Sequence, residues 1–218
     1  MKEILEFLSA LAENNNRPWF EANRSWYERV RADFTVMVQG AVSEIAKEYD
    51  LAERDAKKLL FRINRDVRFS SNKSPYKNNF SAAISQGGKK DVMVGLYIHI
   101  QPGESFLAGG CYSPTPEDLT AVRQEIDFNL GKLESVVNNK DFVAYYKTLR
   151  GEKLKTTPKG YEADNPAIEF LKMKQFYVSR EFSDAQLLKT DLEKESAKAY
   201  KVLRPLVEYM REAVVPNP

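Results

Sequence analysis

Two runs of apolar residues near the N-terminus have helical spacing. The first run consists of Ile4, Leu5, Phe7, Leu8 and Leu11. The polar stretch from Asn14 to Pro18 should end that helix. From Phe20 onward, apolar residues again recur at intervals of three and four, and this pattern continues to about Tyr49. The sequence therefore predicts a short helix, a break, and a long helix laid across the core.

The middle of the chain has the pattern of strands separated by short polar connections. The predicted strands are Leu59 to Phe69, Phe80 to Gln86, Asp91 to Gln101 and Ser105 to Tyr112. A polar loop and two short segments, Gly87-Gly88 and Pro102-Gly103, join them. Short connections that contain glycine favour antiparallel hairpins, so the last three of these strands should form a meander.

The C-terminal half is predicted to be mainly helical. The segment Thr115-Pro116-Glu117-Asp118 has the pattern of a helix N-terminus, and that helix should run to about Asn129. The other predicted elements are a helix at Phe142 to Leu149, a short helix after Pro166, and a strand at Phe176 to Phe182. Ser183-x-x-Gln186 has the pattern of a second capping box, which should open a final long helix that Pro205 kinks or splits.

Strands in the middle of the chain, with helices before and after them, indicate an α+β fold. The sheet should be antiparallel, mainly a meander, and covered by N-terminal and C-terminal helices. A chain of 218 residues that is 43% hydrophobic can form one core, and we expect a single domain over 1–218. Its parts would be a helical region at 1–58, a sheet core at 59–112, and helices, a loop, one strand and the long C-terminal helix at 113–218.

Composition disfavours several classes of protein. The longest apolar run, Val92 to Ile100, is about half as long as a membrane-spanning helix, and the apolar N-terminal segment lacks a signal-peptide cleavage site. The single cysteine, Cys111, cannot form an internal disulfide, which is typical of a reducing compartment. We therefore expect a cytoplasmic protein with no membrane partner.

Basic residues are concentrated in one segment, residues 57–77. It holds seven lysines and arginines and one acid, a balance of +6, whereas the whole chain carries a net charge of only +2. Forked arginine donors are combined there with hydroxyl and amide side chains, which is the chemistry of an anion site.

The pattern within this segment singles out Arg65. From Phe61 to Phe69, odd positions are mainly apolar and even positions are polar, as in a strand with one buried face. Arg65 is the exception, a charge among core positions. Because a buried charge is costly unless it is paired, we expect Arg65 to be substantially buried and held by an acid or an anion.

The resulting hypothesis is a site for a small phosphate- or carboxylate-bearing ligand. Its residues would be Arg62, Arg65, Asp66, Arg68, Asn72, Lys73 and Tyr76. Asp66 would orient the guanidinium groups, and Tyr76 would lie at the edge of the site. Whether the protein is an enzyme is left open by the sequence; in an enzyme, Asp66, Tyr76 or Lys73 would transfer protons and the arginines would stabilise charge.

Three alternatives remain open for the same basic segment. A network of salt bridges could simply fasten it to its neighbours. A nucleic-acid-binding module could use the basic groups on a phosphate backbone and stack bases on Phe61, Phe69 and Tyr76, but the near-neutral total charge disfavours this alternative. An interaction protein could dock an acidic partner, and a flat polar face without a pocket would favour that function.

Several other chemistries are disfavoured. With one histidine and one cysteine, the chain has no zinc cluster, and no glycine-rich motif marks a nucleotide fold, so no metal and no cofactor is predicted. A dyad of His99 and Cys111 is disfavoured by geometry. Folding the hairpin at Pro102-Gly103 places His99 opposite Phe106 or Leu107, so Cys111 should lie roughly 13 to 17 Å further along the strand.

The pattern Arg62-x-x-Arg65-Asp66-x-Arg68-Phe69-x-x-Asn72-Lys73-x-x-Tyr76 resembles the signature of an uncharacterised bacterial family, domain of unknown function 2461. Further similarity to this family covers Asn15, Trp19, Phe20, Asn23 and Tyr27. A second motif of the family resembles residues 154–176, where a histidine is expected before Pro166 and this chain has Asn165. The resemblance implies no activity. Because this chain has Asn165 at that position, it also implies no role there that would need a histidine.

Overall fold

Helices flank a four-stranded sheet in the computed structural model, which describes residues 1–88, 91 and 93–214. The helices of this part of the chain are α1 (Lys2–Glu13), α2 (Arg17–Ala22), α3 (Arg24–Ile45), α4 (Ala56–Leu59), α5 (Pro116–Phe128), α6 (Leu130–Val137), α7 (Lys140–Tyr146), α8 (Ile168–Leu171), α9 (Asp184–Leu187) and α10 (Leu192–Val214). The strands are β1 (Phe80–Ile84), β2 (Met93–Ile100), β3 (Ser105–Cys111) and β4 (Phe176–Phe182).

The sheet is antiparallel throughout, with the strands in chain order. Phe80 lies opposite Ile100, His99 opposite Phe106, and Cys111 opposite Phe176. This arrangement confirms the predicted α+β fold and meander. The fourth strand, separated from the third by four helices, completes the sheet by pairing with β3 along its whole length.

The core lies between the helices and one face of the sheet. The C-terminal helix α10 packs against α3 and against β2 and β3. At the N-terminal end, Phe80 of β1 contacts the rings of Phe7, Tyr27 and Phe34, with centroids 5.5 to 6.3 Å apart. The buried apolar side chains form one cluster that includes residues from nearly every helix and strand.

The N-terminal helices differ from prediction in their boundaries. A break is present, but it covers only residues 14–16, because Pro18 lies in the first turn of α2. Asn16 caps α2 by accepting a hydrogen bond from the backbone N–H of Trp19 at 3.0 Å. The long helix predicted from Phe20 is divided, however, because α2 ends at Ala22 and α3 begins at Arg24. The predicted extension to Tyr49 is too long, since α3 ends at Ile45.

The predicted strand from Leu59 to Phe69 is wrong. Leu59 ends helix α4, and the residues after it make only isolated bridges, at Leu60 and Asn64. The side chain of Asp66 accepts a hydrogen bond from the backbone N–H of Arg68, which favours a turn over a regular ladder. The facing segment contains Pro75, which has no N–H to donate.

Both predicted capping boxes are present, at Thr115 with Asp118 and at Ser183 with Gln186. The second box opens only the four-residue helix α9. The helix stops before Asp191, whose carboxylate accepts a hydrogen bond from the Lys194 N–H as α10 begins. Pro205 does not split α10, which continues through it to Val214. Helix α6 was not predicted, and its N-terminus lacks a side-chain cap.

No helix in the described part of the chain has the length and apolar character needed to cross a membrane.

Candidate functional site

The basic segment folds back on itself, so that residues 60–65 lie antiparallel to residues 75–82. The Arg65 N–H donates to the Pro75 carbonyl at 2.9 Å, and the Lys77 N–H donates to the Ile63 carbonyl at 2.8 Å. Bridges join Leu60 to Ala82 and Asn64 to Tyr76. These contacts keep the backbone extended, and side chains alternate between solvent and interior as far as residue 67. The alternation in the sequence thus predicted exposure correctly from Phe61 to Val67, although the segment is not a regular strand. Phe69, which was predicted on the apolar face, is 97% exposed.

Asn15 fixes the loop against the N-terminal helices. Its amide donates to the Tyr76 carbonyl at 3.0 Å, and its side-chain oxygen accepts from the Tyr76 N–H at 3.1 Å. The same amide donates to the side chain of Asn78 at 2.8 Å. The ring of Tyr76 stacks on Phe20 with centroids 4.0 Å apart and planes tilted by 16°. One side chain therefore supplies the hydrogen bonds that a neighbouring strand would otherwise make.

An open pocket of about 190 Å³ lies beside this anchor. It is lined by Asn15, Arg65, Asn72, Ser74, Tyr76, Lys77, Asn78, Asn79 and Gln101. Two of these described lining residues are cationic and none is acidic, while most of the others carry amides or a hydroxyl. Such a set of donors suits an anion.

Arg65 is half-buried at the wall of this pocket. Its guanidinium donates to the Ser74 carbonyl at 3.4 Å and to the Ser70 hydroxyl at 3.3 Å, both long hydrogen bonds. Within residues 1–88, 91 and 93–214, no carboxylate forms an ion pair with it. Arg65 is thus less buried than expected, and its partners in the described chain are neutral.

Asp66 orients one guanidinium, that of Arg68. It accepts from Arg68 Nε at 3.0 Å and from Nη2 at 2.7 Å, a bidentate pair closed by a turn. The hydrogen bond from the Arg68 side chain lowers the pKa of Asp66, and the same contact raises the pKa of Arg68. Both side chains are largely exposed, so this pair adds little to stability.

The predicted site residues divide into two groups. Arg65, Asn72 and Tyr76 line the pocket. The others are exposed outside it: Arg62, Asp66, Arg68 and Lys73. The Lys73 ammonium donates to the Val67 carbonyl at 3.0 Å. The expected cluster of three arginines around one ligand is therefore not formed in this structure.

The remaining pocket residues were not predicted as site residues. Lys77 belongs to the basic segment, and its charge was a usable signal. Asn15 was identified only through the family resemblance. Gln101 follows β2, more than twenty positions further along the chain, and β-sheet pairing brings it to the pocket. No local sequence pattern links Gln101 to the basic segment.

A neighbouring pocket of about 410 Å³ has a different character. Tyr76 lines this pocket too, and Phe20 and Tyr27 form part of its wall. Its lining includes Glu21, which accepts hydrogen bonds from Arg24 at 2.8 and 2.9 Å. Because this carboxylate is paired with one of the two arginines of the lining, Arg24 but not Arg17, the pocket is less suited to an anion than the pocket of Arg65.

His99 and Cys111 do not form a dyad, as predicted. His99 lies opposite Phe106 and stacks on it with centroids 4.5 Å apart, whereas Cys111 lies opposite Met93. Burial lowers the pKa of His99 and raises the pKa of Cys111 to about 12. A thiol with so high a pKa is a weak nucleophile at neutral pH, so Cys111 is a packing residue.

Asn165 occupies the position where the family motif suggested a histidine. Its amide donates to the carboxylate of Asp127 at 2.6 Å, and its side-chain oxygen accepts from the Ala167 N–H at 2.8 Å. These two contacts join the end of α5 to the turn before α8. In this chain the position therefore has a structural role.

Together these features define an α+β protein with a cationic pocket at the edge of an antiparallel sheet. The chain belongs to the family of conserved hypothetical proteins DUF2461, whose family model matches residues 3–209. This match confirms, at the level of the family, the resemblance first seen in the arginine-rich segment. A search of curated proteins and a search of solved structures gave no significant match.

Proposed function

We propose that this protein binds a small phosphate- or carboxylate-bearing ligand in the pocket between Arg65 and Lys77. The observation that carries the proposal is the lining of that pocket, which combines two cations with amide donors and, in its described residues, no acid. An anion entering it would replace the long hydrogen bonds from Arg65 to neutral oxygens with hydrogen bonds between opposite charges.

The pocket is also prepared for binding by its surroundings. Asn15 and Tyr76 are fixed by reciprocal hydrogen bonds, and Tyr76 is buried against Phe20. Arg65 and Lys77 lie on two antiparallel pieces of chain, which two backbone hydrogen bonds hold together. Donors that are positioned before the ligand arrives lose less entropy on binding.

Binding is a better supported activity than catalysis. Of the side chains suggested for proton transfer, Asp66 is paired with Arg68 and Lys73 is bonded to the Val67 carbonyl, both outside the pocket. Tyr76 is the remaining one, and it lines the pocket as part of a buried ring stack.

Calorimetric titration with inorganic phosphate and with acetate would test the proposal. Wild type should bind at least one of them, and Lys77→Gln should weaken that binding about tenfold to a hundredfold, the cost of one hydrogen bond to a charged group. Lys73→Gln is the matched control, because Lys73 lies in the same basic segment but outside the pocket. Equal losses in the two variants, or no binding by wild type, would refute the site.

A second function, contact with single-stranded nucleic acid, is favoured by one observation. Phe69 is 97% exposed at the tip of the basic segment, and the Arg68 guanidinium lies 5.9 Å from its ring centroid. An exposed ring beside cations is a platform on which bases stack. Of the other two rings suggested for stacking, Tyr76 is buried and Phe61 is half-buried, so Phe69 is the most exposed of the three.

A further inference from the structure

The face of the sheet that turns away from the core carries a row of aromatic side chains. On the core face, Gly109 of β3 lies against α10, and Ile98 of β2 is buried. Alternation along the strands places Tyr97, His99 and Phe106 on the other face, where each is half-buried. Tyr97 lies 6.0 Å from both of the other rings, and His99 stacks on Phe106.

This aromatic row begins at the rim of the cationic pocket. Phe61 contacts Tyr97 edge to face, with centroids 6.0 Å apart. The ammonium of Lys77, which lines the pocket, lies 5.4 Å from the centroid of Phe61. On the other side, Gln101 lines the pocket, and its side-chain oxygen lies 3.3 Å from His99 Nε2. Lys77 and Gln101 of the pocket therefore contact Phe61 and His99.

The charged side chains on this face differ between its two ends. Glu181 of β4 lies opposite Phe106 at the far end of the row, and Arg150 forms an ion pair with it. Arg65 and Lys77 lie at the near end. Glu104, whose carboxylate accepts a hydrogen bond from the Gln101 amide, is the acid beside the pocket. A ligand with one anionic end would place that end at Arg65 and extend its uncharged part over Phe61 and Tyr97.

From this continuity we propose that the ligand carries a planar aromatic ring next to its anionic group, as a nucleoside monophosphate does. The phosphate would lie in the pocket, and the ring would pack against Phe61 and Tyr97, face to face with one and edge to face with the other. This inference rests on the proposed anion site and adds the class of ligand. The same chemistry is available from a free nucleotide or from one nucleotide of a single strand.

Titration calorimetry with three small probes separates the two proposals. The probes are inorganic phosphate, ribose 5-phosphate and adenosine 5′-monophosphate. We expect adenosine 5′-monophosphate to bind about fivefold to a hundredfold more tightly than ribose 5-phosphate, which is the contribution of stacking one base. Equal affinities would overturn the aromatic inference and leave the anion site intact. Absence of binding by all three would overturn both.

Tyr97→Leu tests the row directly. It should weaken binding of adenosine 5′-monophosphate about fivefold or more and leave the affinity for ribose 5-phosphate within about twofold. Tyr112→Leu is the matched control, because Tyr112 is a 58% exposed tyrosine beyond the end of β3 that contacts Tyr177 and not the row. A loss of nucleotide affinity in both variants, or in neither, would refute the role of the row.

A further probe distinguishes the two sources of the ligand. A single-stranded oligoadenylate of about eight nucleotides is titrated beside adenosine 5′-monophosphate. If the oligonucleotide binds more tightly and Tyr97→Leu weakens its binding, the natural ligand is a nucleotide within single-stranded nucleic acid. If the mononucleotide binds more tightly, the natural ligand is a free nucleotide. Oligonucleotide binding that Tyr97→Leu does not change would overturn the inference for that source.

Discussion

Replacing Arg65 with glutamine should separate the cost to folding from the cost to ligand binding. In the folded protein its guanidinium makes two long hydrogen bonds to neutral oxygens and is only half-buried. Both hydrogen bonds are longer than usual and the cationic guanidinium stays in contact with water, so together they should contribute less than the roughly 1.5 to 3 kcal/mol of one good hydrogen bond to a charged group. Arg65→Gln should therefore reduce the free energy of unfolding by about 1 kcal/mol. For a chain of this length that corresponds to a fall in Tm of about 2 to 4 °C.

The loss on binding should be larger. A hydrogen bond to a charged group contributes about 1.5 to 3 kcal/mol, so Arg65→Gln should weaken phosphate binding about tenfold to a hundredfold. At a phosphate concentration about a hundred times the Kd of wild type, the ligand should stabilise the wild type by about 2.7 kcal/mol. At the same concentration the variant should be stabilised by only about 0.4 to 1.4 kcal/mol.

Urea unfolding with and without phosphate measures both quantities on one sample. Arg68→Gln is the matched control, because Arg68 is an exposed arginine three positions along the chain, paired with Asp66 and outside the pocket. The control should keep the full stabilisation by phosphate.

Two results would refute the reasoning on Arg65. A loss of about 3 kcal/mol or more without ligand would mean that Arg65 is paired with a buried acid, contrary to the structure. An unchanged stabilisation by phosphate in Arg65→Gln would mean that the anion binds elsewhere.

Four further outcomes are expected. Cys111→Ser should leave phosphate affinity within about tenfold of wild type, since Cys111 is buried away from the pocket; a larger loss measured by calorimetry would contradict this. Burial lowers the pKa of His99, so the unfolded chain binds more protons than the native protein as the pH falls below about 6.5. The free energy of unfolding should therefore decrease as the pH falls through this range. Urea titrations of His99→Gln should show a smaller decrease. Gly103 and Gly110 both have positive φ, so an alanine at either position should destabilise the protein by about 1 kcal/mol. Gly110→Ala should cost well over this amount, because the added Cβ would also meet the carbonyl of Phe176. Equal urea midpoints of the two variants would contradict this. Phosphate affinity should fall by less than about tenfold between 50 and 200 mM salt, whereas a protein that contacts six or more duplex phosphates would lose on the order of a thousandfold.

The parts of the fold that depend on neighbouring residues could be predicted from the sequence alone. Both capping boxes, the break before Arg17 and the strand Phe176–Phe182 are where the pattern predicted them. Alternation in the basic segment also predicted that Ile63 is buried. These features follow from hydrogen bonds and side-chain periodicity within a few residues, which a sequence displays directly.

Tertiary structure decided which charges share a pocket. The sequence grouped Arg65 with Arg62 and Arg68, because they are close along the chain, but the turn at Asp66 pairs Arg68 with a carboxylate in solvent. Lys77 and Gln101 reach the pocket through backbone pairing and the sheet. Such contacts depend on packing between distant segments, and the spacing of residues in one segment contains no information about them.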